Sequence, residues 1–211
     1  MVRPTADGRA RVVILAGPSG AGKSRLAGRL HAAHGWPIVR LDDFYREQSD
    51  PALPRHPELG IVDWDDPASW NADEALTALV TLIDTGRADM PVYDLMTSAT
   101  IGTREVTVAA GQLVLAEGIF AAEIIGRLRA EGILHSAWCI HQGPTTTFVR
   151  RLVRDLAERR KPPLVLIRRG WGLRRAEPVV VARQVRLGAT AASPADVEEL
   201  LSGEGQSGRL G

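Results

Sequence analysis

Lysine is nearly missing from this chain: of 26 basic residues, only Lys23 and Lys161 are lysines. Cysteine occurs once, at Cys139, which excludes an internal disulfide and suits a reducing cytoplasm. Its neighbours Ala137, Trp138 and Ile140 read as buried strand, so the thiol is expected to be inert packing. Aromatic residues are scarce at 5%, and the five tryptophans lie apart, without the stripe of a membrane-lying helix. Val12 to Ala16 is the only apolar run near the start, too short for a signal-peptide core or a membrane span. A net charge of +1 leaves no surplus for a dedicated nucleic-acid surface. The five histidines, His31, His34, His56, His135 and His141, lack metal-ligand spacing and default to structural or surface roles. These absences leave a chain of 211 residues, 45% apolar and 24% charged, sized for one full core. Neither a nucleic-acid nor a membrane partner is expected, the cytoplasm is the expected compartment, and homo-oligomerisation stays open.

What is present is sharper. One of the two lysines stands in Gly17-Pro18-Ser19-Gly20-Ala21-Gly22-Lys23-Ser24, which fits G-x-x-x-x-G-K-[S/T] at every fixed position. A compact ammonium on a flexible stem reaches between phosphates where a planar guanidinium is too bulky. Glycines let backbone N–H groups curl around phosphate oxygens, and the Ser24 hydroxyl is a Mg²⁺ ligand in such loops. The octet, with Arg25 following it, therefore predicts a nucleoside triphosphate site with Mg²⁺ at Ser24. The bland alternative is a Gly-rich turn before a helix.

Along the chain, Val12–Ala16 predicts a strand buried on both faces, and residues 24–34 a helix with Leu26, Ala27, Leu30 and Ala33 on its inner side. Residues 38–41 read as a second strand, putting Asp42 at a strand's carboxyl end, where open α/β sheets bind ligands. Residues 46–68 form a long polar loop, and Asn71 with Glu74 caps a helix through Ile83. Residues 91–94 and 103–108 suggest a β-hairpin. Strands at 113–118 and 137–141 bracket a helix at 120–131; a strongly basic helix at 145–161 and another at 177–187 follow, and Ser193–Asp196 begins a last one. Alternating strand and helix predict a three-layer α/β/α sandwich on a mostly parallel sheet. One domain is expected over residues 1–202, with a hairpin near 90–109, an arginine-rich segment near 145–163 and a disordered tail over 203–211.

Taken together, the phosphate loop, Arg40-Leu41-Asp42-Asp43-Phe44-Tyr45-Arg46, Trp64-Asp65-Asp66-Pro67, Pro91-Val92-Tyr93-Asp94, Leu115-Ala116-Glu117-Gly118-Ile119 and the basic run from Arg150 to Arg159 stand in a telling order. This succession resembles the uridine–cytidine kinases, within the P-loop kinases that include phosphoribulokinase and pantothenate kinase. The likeness covers roughly residues 11–161 and fades beyond Lys161, with the phosphate loop its strongest part. It implies Asp42 as general base, Lys23 on the phosphates, and Glu117 with Ser24 at Mg²⁺. It also implies Asp65 and Tyr93, with Tyr45, around a nucleoside, and lid arginines, foremost Arg151 and Arg154, over the transferring phosphoryl group. Each residue has a plainer alternative: Asp42 and Asp43 as loop caps, Glu117 or Asp65 as solvated acids, the tyrosines as packing, the arginines as a solvated helix face. Asp43 is the weaker base, since a neighbouring strand residue points the other way.

The departures fall on the acceptor side. Where the family carries a histidine and an arginine that read the pyrimidine, this chain has Ser98 and Thr100; Thr147 replaces an early lid arginine, and His141-Gln142 an acidic residue. The expected function is an ATP- and Mg²⁺-dependent kinase acting on a hydroxyl of a small acceptor, foremost a nucleoside. The alternatives are another acceptor, such as a sugar phosphate or pantothenate, or a non-catalytic ATP sensor. No Asn-Lys-x-Asp segment is present to read guanine.

Overall fold

The computed structural model describes residues 8–57, 60–141 and 178–207. The basic helix expected at 145–161, with Thr147, Arg151 and Arg154, lies outside these residues, as do Gln142 and Trp171.

A five-stranded parallel sheet forms the centre, built from β1 (Arg11–Ala16), β2 (Ile38–Arg40), β5 (Leu113–Glu117), β6 (Leu134–Ile140) and β7 (Thr190–Ala192) in the order β2-β5-β1-β6-β7. In β1 successive side chains alternate between two cores, which is why its sequence is apolar throughout. Val12, Ile14 and Ala16 join one cluster with α2 (Ala72–Thr85) and α3 (Ile125–Ala130). Val13 and Leu15 join the opposite cluster with Leu26 and Leu30 of α1 (Lys23–His34) and Val197 and Leu201 of α5 (Pro194–Ser207). The expected sandwich is therefore present. The inner side of α1 holds Lys23, Leu26, Ala27 and Leu30, whereas Ala33, expected there, is exposed.

Local chemistry accounts for the helix boundaries. Asn71 Oδ1 accepts the Glu74 N–H at 3.3 Å while its amide donates to the Glu74 carboxylate at 2.9 Å, a reciprocal cap for α2. Ser193 and Asp196 cap α5 in the same way. That helix continues to Ser207, past the point where the Gly/Ser-rich composition suggested a tail. The hairpin is longer than expected, β3 (Arg87–Asp94) pairing with β4 (Ala99–Thr107). Residues 120–131 divide into a 3-10 turn, Ala121–Ile124, and α3. A helix over residues 178–186, here α4, leads into β7, an edge strand too short and alanine-rich to stand out in the sequence.

One difference matters for the site. Strand β2 stops at Arg40, and Leu41–Phe44 forms a 3-10 turn instead of extending the strand. The alternation expected of Asp42 and Asp43 as strand neighbours therefore does not apply; the turn separates them differently.

Candidate functional site

The glycine-rich loop leaves β1 in a conformation that only its first residue permits. Gly17 has φ 138°, and a Cβ there would lie 2.3 Å from the backbone oxygen of Ile140. No side chain fits between the loop and the end of β6. Lys23, the first residue of α1, is buried and reaches back across the loop, its Nζ donating to the carbonyls of Gly17 at 2.8 Å and Pro18 at 3.1 Å. The first turn of α1 carries no acidic residue, so its N–H dipoles and the ammonium present one positive field. Pro18 and Ala21 are buried, Ser19, Gly20 and Gly22 are partly open, and Ser24 and Arg25 are exposed.

Strand β5 delivers the acid. Glu117 is buried at the strand's end, and its Oε1 accepts the Ser24 hydroxyl at 3.0 Å. Burial pushes its carboxyl above the usual range, and the nearby Asp42 adds to this; Lys23, the Ser24 hydroxyl and Arg40 act against it. A buried carboxylate beside a hydroxyl and a phosphate loop fits a hard cation with oxygen ligands. Among the described residues no three His, Cys, Asp or Glu side chains cluster as a metal cage. Mg²⁺ matches such a sparse set, since it takes one or two protein oxygens and completes its shell with phosphates and water.

Asp42 sits on the 3-10 turn beside this strand end, half-buried, with Oδ1 accepting the backbone N–H of Ile119 at 2.9 Å. Gly118 makes this approach feasible, because a Cβ there would come within 2.9 Å of Asp42 Oδ1 and of Leu41 Cβ. One carboxylate oxygen is thereby fixed, leaving the other to accept a proton. Asp43 goes elsewhere. It is buried, and burial raises its pKa against the opposing pull of Arg40, 3.6 Å away, and of the Tyr93 N–H that it accepts. Asp43 thus ties the turn to the hairpin, and Asp42 faces the phosphate side.

A cluster of aromatic rings follows. Tyr45 lies 5.9 Å from Trp64, 6.0 Å from Tyr93 and 5.9 Å from Phe120, centroid to centroid. Burial, then the charges of Asp42 and Asp65, push the Tyr45 hydroxyl well above its ordinary pKa, and that hydroxyl donates to the carbonyl of Trp64, the residue before Asp65, at 3.4 Å. Asp65 itself is exposed. Trp70 anchors the cluster from behind, its indole N–H donating to the Leu41 carbonyl at 2.6 Å. The Tyr93 hydroxyl donates to the Arg46 carbonyl at 3.1 Å, and the Ser98 side chain bonds to Tyr93. Thr100 donates its N–H to Glu47 Oε1 at 3.3 Å. Ser98 and Thr100, two of the positions that depart from the family pattern, therefore lie at Tyr93 and Glu47.

The structure thus brings Asp42, Tyr45, Asp65 and Tyr93 to one end of the sheet, beside Lys23, Ser24 and Glu117. Sequence reasoning missed Trp64, Phe120 and Glu47 as members of this neighbourhood, and it missed the backbone of Ile119. Only Gly118, directly after the strand-ending acid, signalled the last of these.

No family model matches the chain. It is 28% identical over 159 residues to the inorganic pyrophosphatases TTM2 and TTM1 of Arabidopsis thaliana, an alignment covering 74% of this chain and 21% and 22% of theirs. It is 25% identical over 116 residues to the uridine kinase of Saccharomyces cerevisiae, covering 52% of this chain and 22% of that protein. The chain spans about a fifth of the length of the curated relatives it matches. Among solved structures, a candidate fructose transport system kinase from Silicibacter sp. TM1040 superposes with a TM-score of 0.62 at 19% identity, over 92% of this chain and 91% of that one. With the sheet order above, this likeness establishes the α/β fold of the P-loop kinases.

Proposed function

We propose that this chain is an ATP- and Mg²⁺-dependent phosphotransferase that moves the γ-phosphoryl group of ATP to a hydroxyl of a small acceptor, most simply a nucleoside. The observation that carries this reading is the placement of Asp42 beside the phosphate-loop apparatus. An acid held by the Ile119 N–H stands next to the Ser24–Glu117 pair, with Lys23 on the loop behind it. A nucleotide-binding module alone has no use for a fixed, half-buried carboxylate at that spot.

In this mechanism the loop amides and Lys23 hold the triphosphate. Ser24 and Glu117 would bind Mg²⁺, which supplies charge neutralisation on the phosphates. Asp42 takes the proton from the acceptor hydroxyl through its free oxygen as the acceptor oxygen bonds to the γ-phosphorus. The bond to the β-phosphate oxygen breaks and ADP leaves. Tyr45 and Trp64, partly exposed, offer ring surface for a base or a sugar face, with the buried Tyr93 and Phe120 packed behind them, and Asp65 offers a carboxylate for hydroxyls. Arg151 and Arg154 are proposed to neutralise charge on the transferring group. We propose a single kinase domain over residues 1–202, acting in the cytoplasm on a small molecule.

The test is acceptor-stimulated ADP release, with uridine, cytidine, other nucleosides, fructose, pantothenate and ribulose 5-phosphate offered in turn. Stimulation by one of them, lost in Lys23→Ala and Asp42→Asn, establishes the kinase and names its acceptor. Phosphate release from pyrophosphate is the control that the curated relatives suggest. Tight ATP binding with no stimulation by any acceptor would favour the sensor instead.

A further inference from the structure

The mechanism above uses nothing from α4, yet one residue of that helix reaches the catalytic end of the sheet. Gln184 is 4% exposed, and its Nε2 donates to the Ile119 carbonyl at 3.0 Å. The bond fixes the amide's orientation, because a carbonyl can only accept. Its Oε1 is buried with no partner among the described residues. A buried acceptor left without a donor is destabilising, and an apolar side chain of similar volume would avoid that cost. The residue therefore makes little sense as packing and more as the source of one bond.

That bond falls on the segment that holds Asp42. The N–H of Gly118 donates to Leu15 at 3.3 Å, the N–H of Ile119 to Asp42 Oδ1, and the C=O of Ile119 accepts from Gln184. Three consecutive backbone groups are thus pinned from three elements, β1, the 3-10 turn and α4. With both its N–H and its C=O engaged, residue 119 has fixed φ and ψ. The adjacent Arg183 binds Glu123 at 2.9 Å, so the helix grips the stretch after Glu117 at two points.

We propose that Gln184 is a positioning residue: by holding the Ile119 carbonyl it fixes the Ile119 N–H that orients the Asp42 carboxylate. The proposal rests on Asp42 being the base, but the link itself is a property of the folded chain. Loss of the Gln184 bond frees the 119–120 peptide, whose carbonyl it holds, and the loosened Cα of Ile119 lets its N–H drift from Asp42 before the phosphate loop or Lys23 is affected.

The experiment is amide-resolved hydrogen exchange by NMR on the full chain, with melting temperature and steady-state kinetics measured on the same variants. In Gln184→Met the Ile119 amide should exchange about tenfold faster, as expected for loss of a single supporting hydrogen bond. Gly118 should be unchanged and the melting temperature equal or higher. With the acceptor found above, kcat should fall about tenfold while the KM for ATP stays constant, the pattern of lost orientation and not lost binding. Gln184→Leu, which likewise has no donor, should behave alike and decides the matter if the Met variant does not fold. Unchanged Ile119 exchange in both variants would overturn the proposal. So would a general rise in exchange with a lower melting temperature and kcat and KM moving together, since that is a structural role only. If the wild type turns over no acceptor, the proposed function fails while the exchange result still decides the link.

Discussion

The two halves of the candidate site are built in opposite ways. The phosphate half is local: Gly17 to Ser24 is one stretch of chain, and its partner Glu117 ends the strand hydrogen-bonded directly to β1. Its geometry is set by backbone, so the residues there are dictated by clearance and φ. The acceptor half is assembled from the 3-10 turn, the loop before α2, the hairpin and the stretch after β5, with side chains carrying the contacts. A backbone-built half admits almost no substitution, whereas a half built from side chains can change its lining and keep its frame. Ser98 and Thr100 fall in the second half, where substitution alters which acceptor fits without disturbing phosphate binding.

The comparison breaks most severely at Gly17. Gly17→Ala puts a methyl 2.3 Å from the Ile140 oxygen, an immovable backbone atom, at a φ that alanine rarely adopts. ATP affinity should drop by roughly a hundredfold or more, consistent with a cost of several kcal/mol, as read by calorimetric titration. A variant that binds ATP normally would show that the loop is not held against β6 as described. Asp42→Asn is next. Loss of a positioned general base lowers turnover by about 10²–10⁴-fold, while ATP affinity stays within about twofold because Asp42 serves the acceptor side. A parallel loss of ATP binding would merge the two halves into one.

How much of this was legible in the sequence follows the same division. The octet around Lys23 could be read at once, because a backbone cradle demands fixed residue types at fixed spacing. The apolar β1 and β5 were equally plain, being buried on both faces. Asp42 could be placed at a strand's end, but the 3-10 turn that aims it could not, since Leu41–Phe44 has no turn residue beyond its acids. Tyr45 and Tyr93, the only tyrosines in the chain, were candidates without a fixed geometry; their meeting depends on hairpin and turn packing across 48 residues. Gln184 was invisible, because a lone glutamine on a helix carries no pattern until Ile119 lies beneath it.

Smaller effects sharpen the contrast on the acceptor side. Tyr93→Phe removes the bond to the Arg46 carbonyl and the contact with Ser98. Net loss is about 1 kcal/mol, which for a chain of this size lowers the melting temperature by roughly 2–4 °C. The KM for the acceptor should rise severalfold with the KM for ATP unchanged. An equal rise in both would show that the hairpin also supports the phosphate half.

The mildest test concerns Asp43, whose carboxyl is pushed above the ordinary aspartate range chiefly by burial. A raised acid is harder to ionise in the folded chain than in the unfolded one. Below the unfolded pKa both states are protonated and nothing is lost. As pH rises between the unfolded and folded values, the unfolded chain releases its proton first, so stability falls; above the folded value the cost is complete. Arg40 and the Tyr93 N–H oppose the shift, so the cost is partial. Asp43→Asn keeps an oxygen for the Tyr93 N–H and carries no charge. Its melting temperature should therefore be flatter than the wild type's as pH climbs from about 4 toward neutrality, crossing it with a difference of a degree or two. Turnover should remain near normal, because Asp43 faces the hairpin and not the phosphates. A collapse of turnover equal to that of Asp42→Asn would mean that the turn presents both acids to the acceptor, and the separation between the two halves would have to be drawn elsewhere.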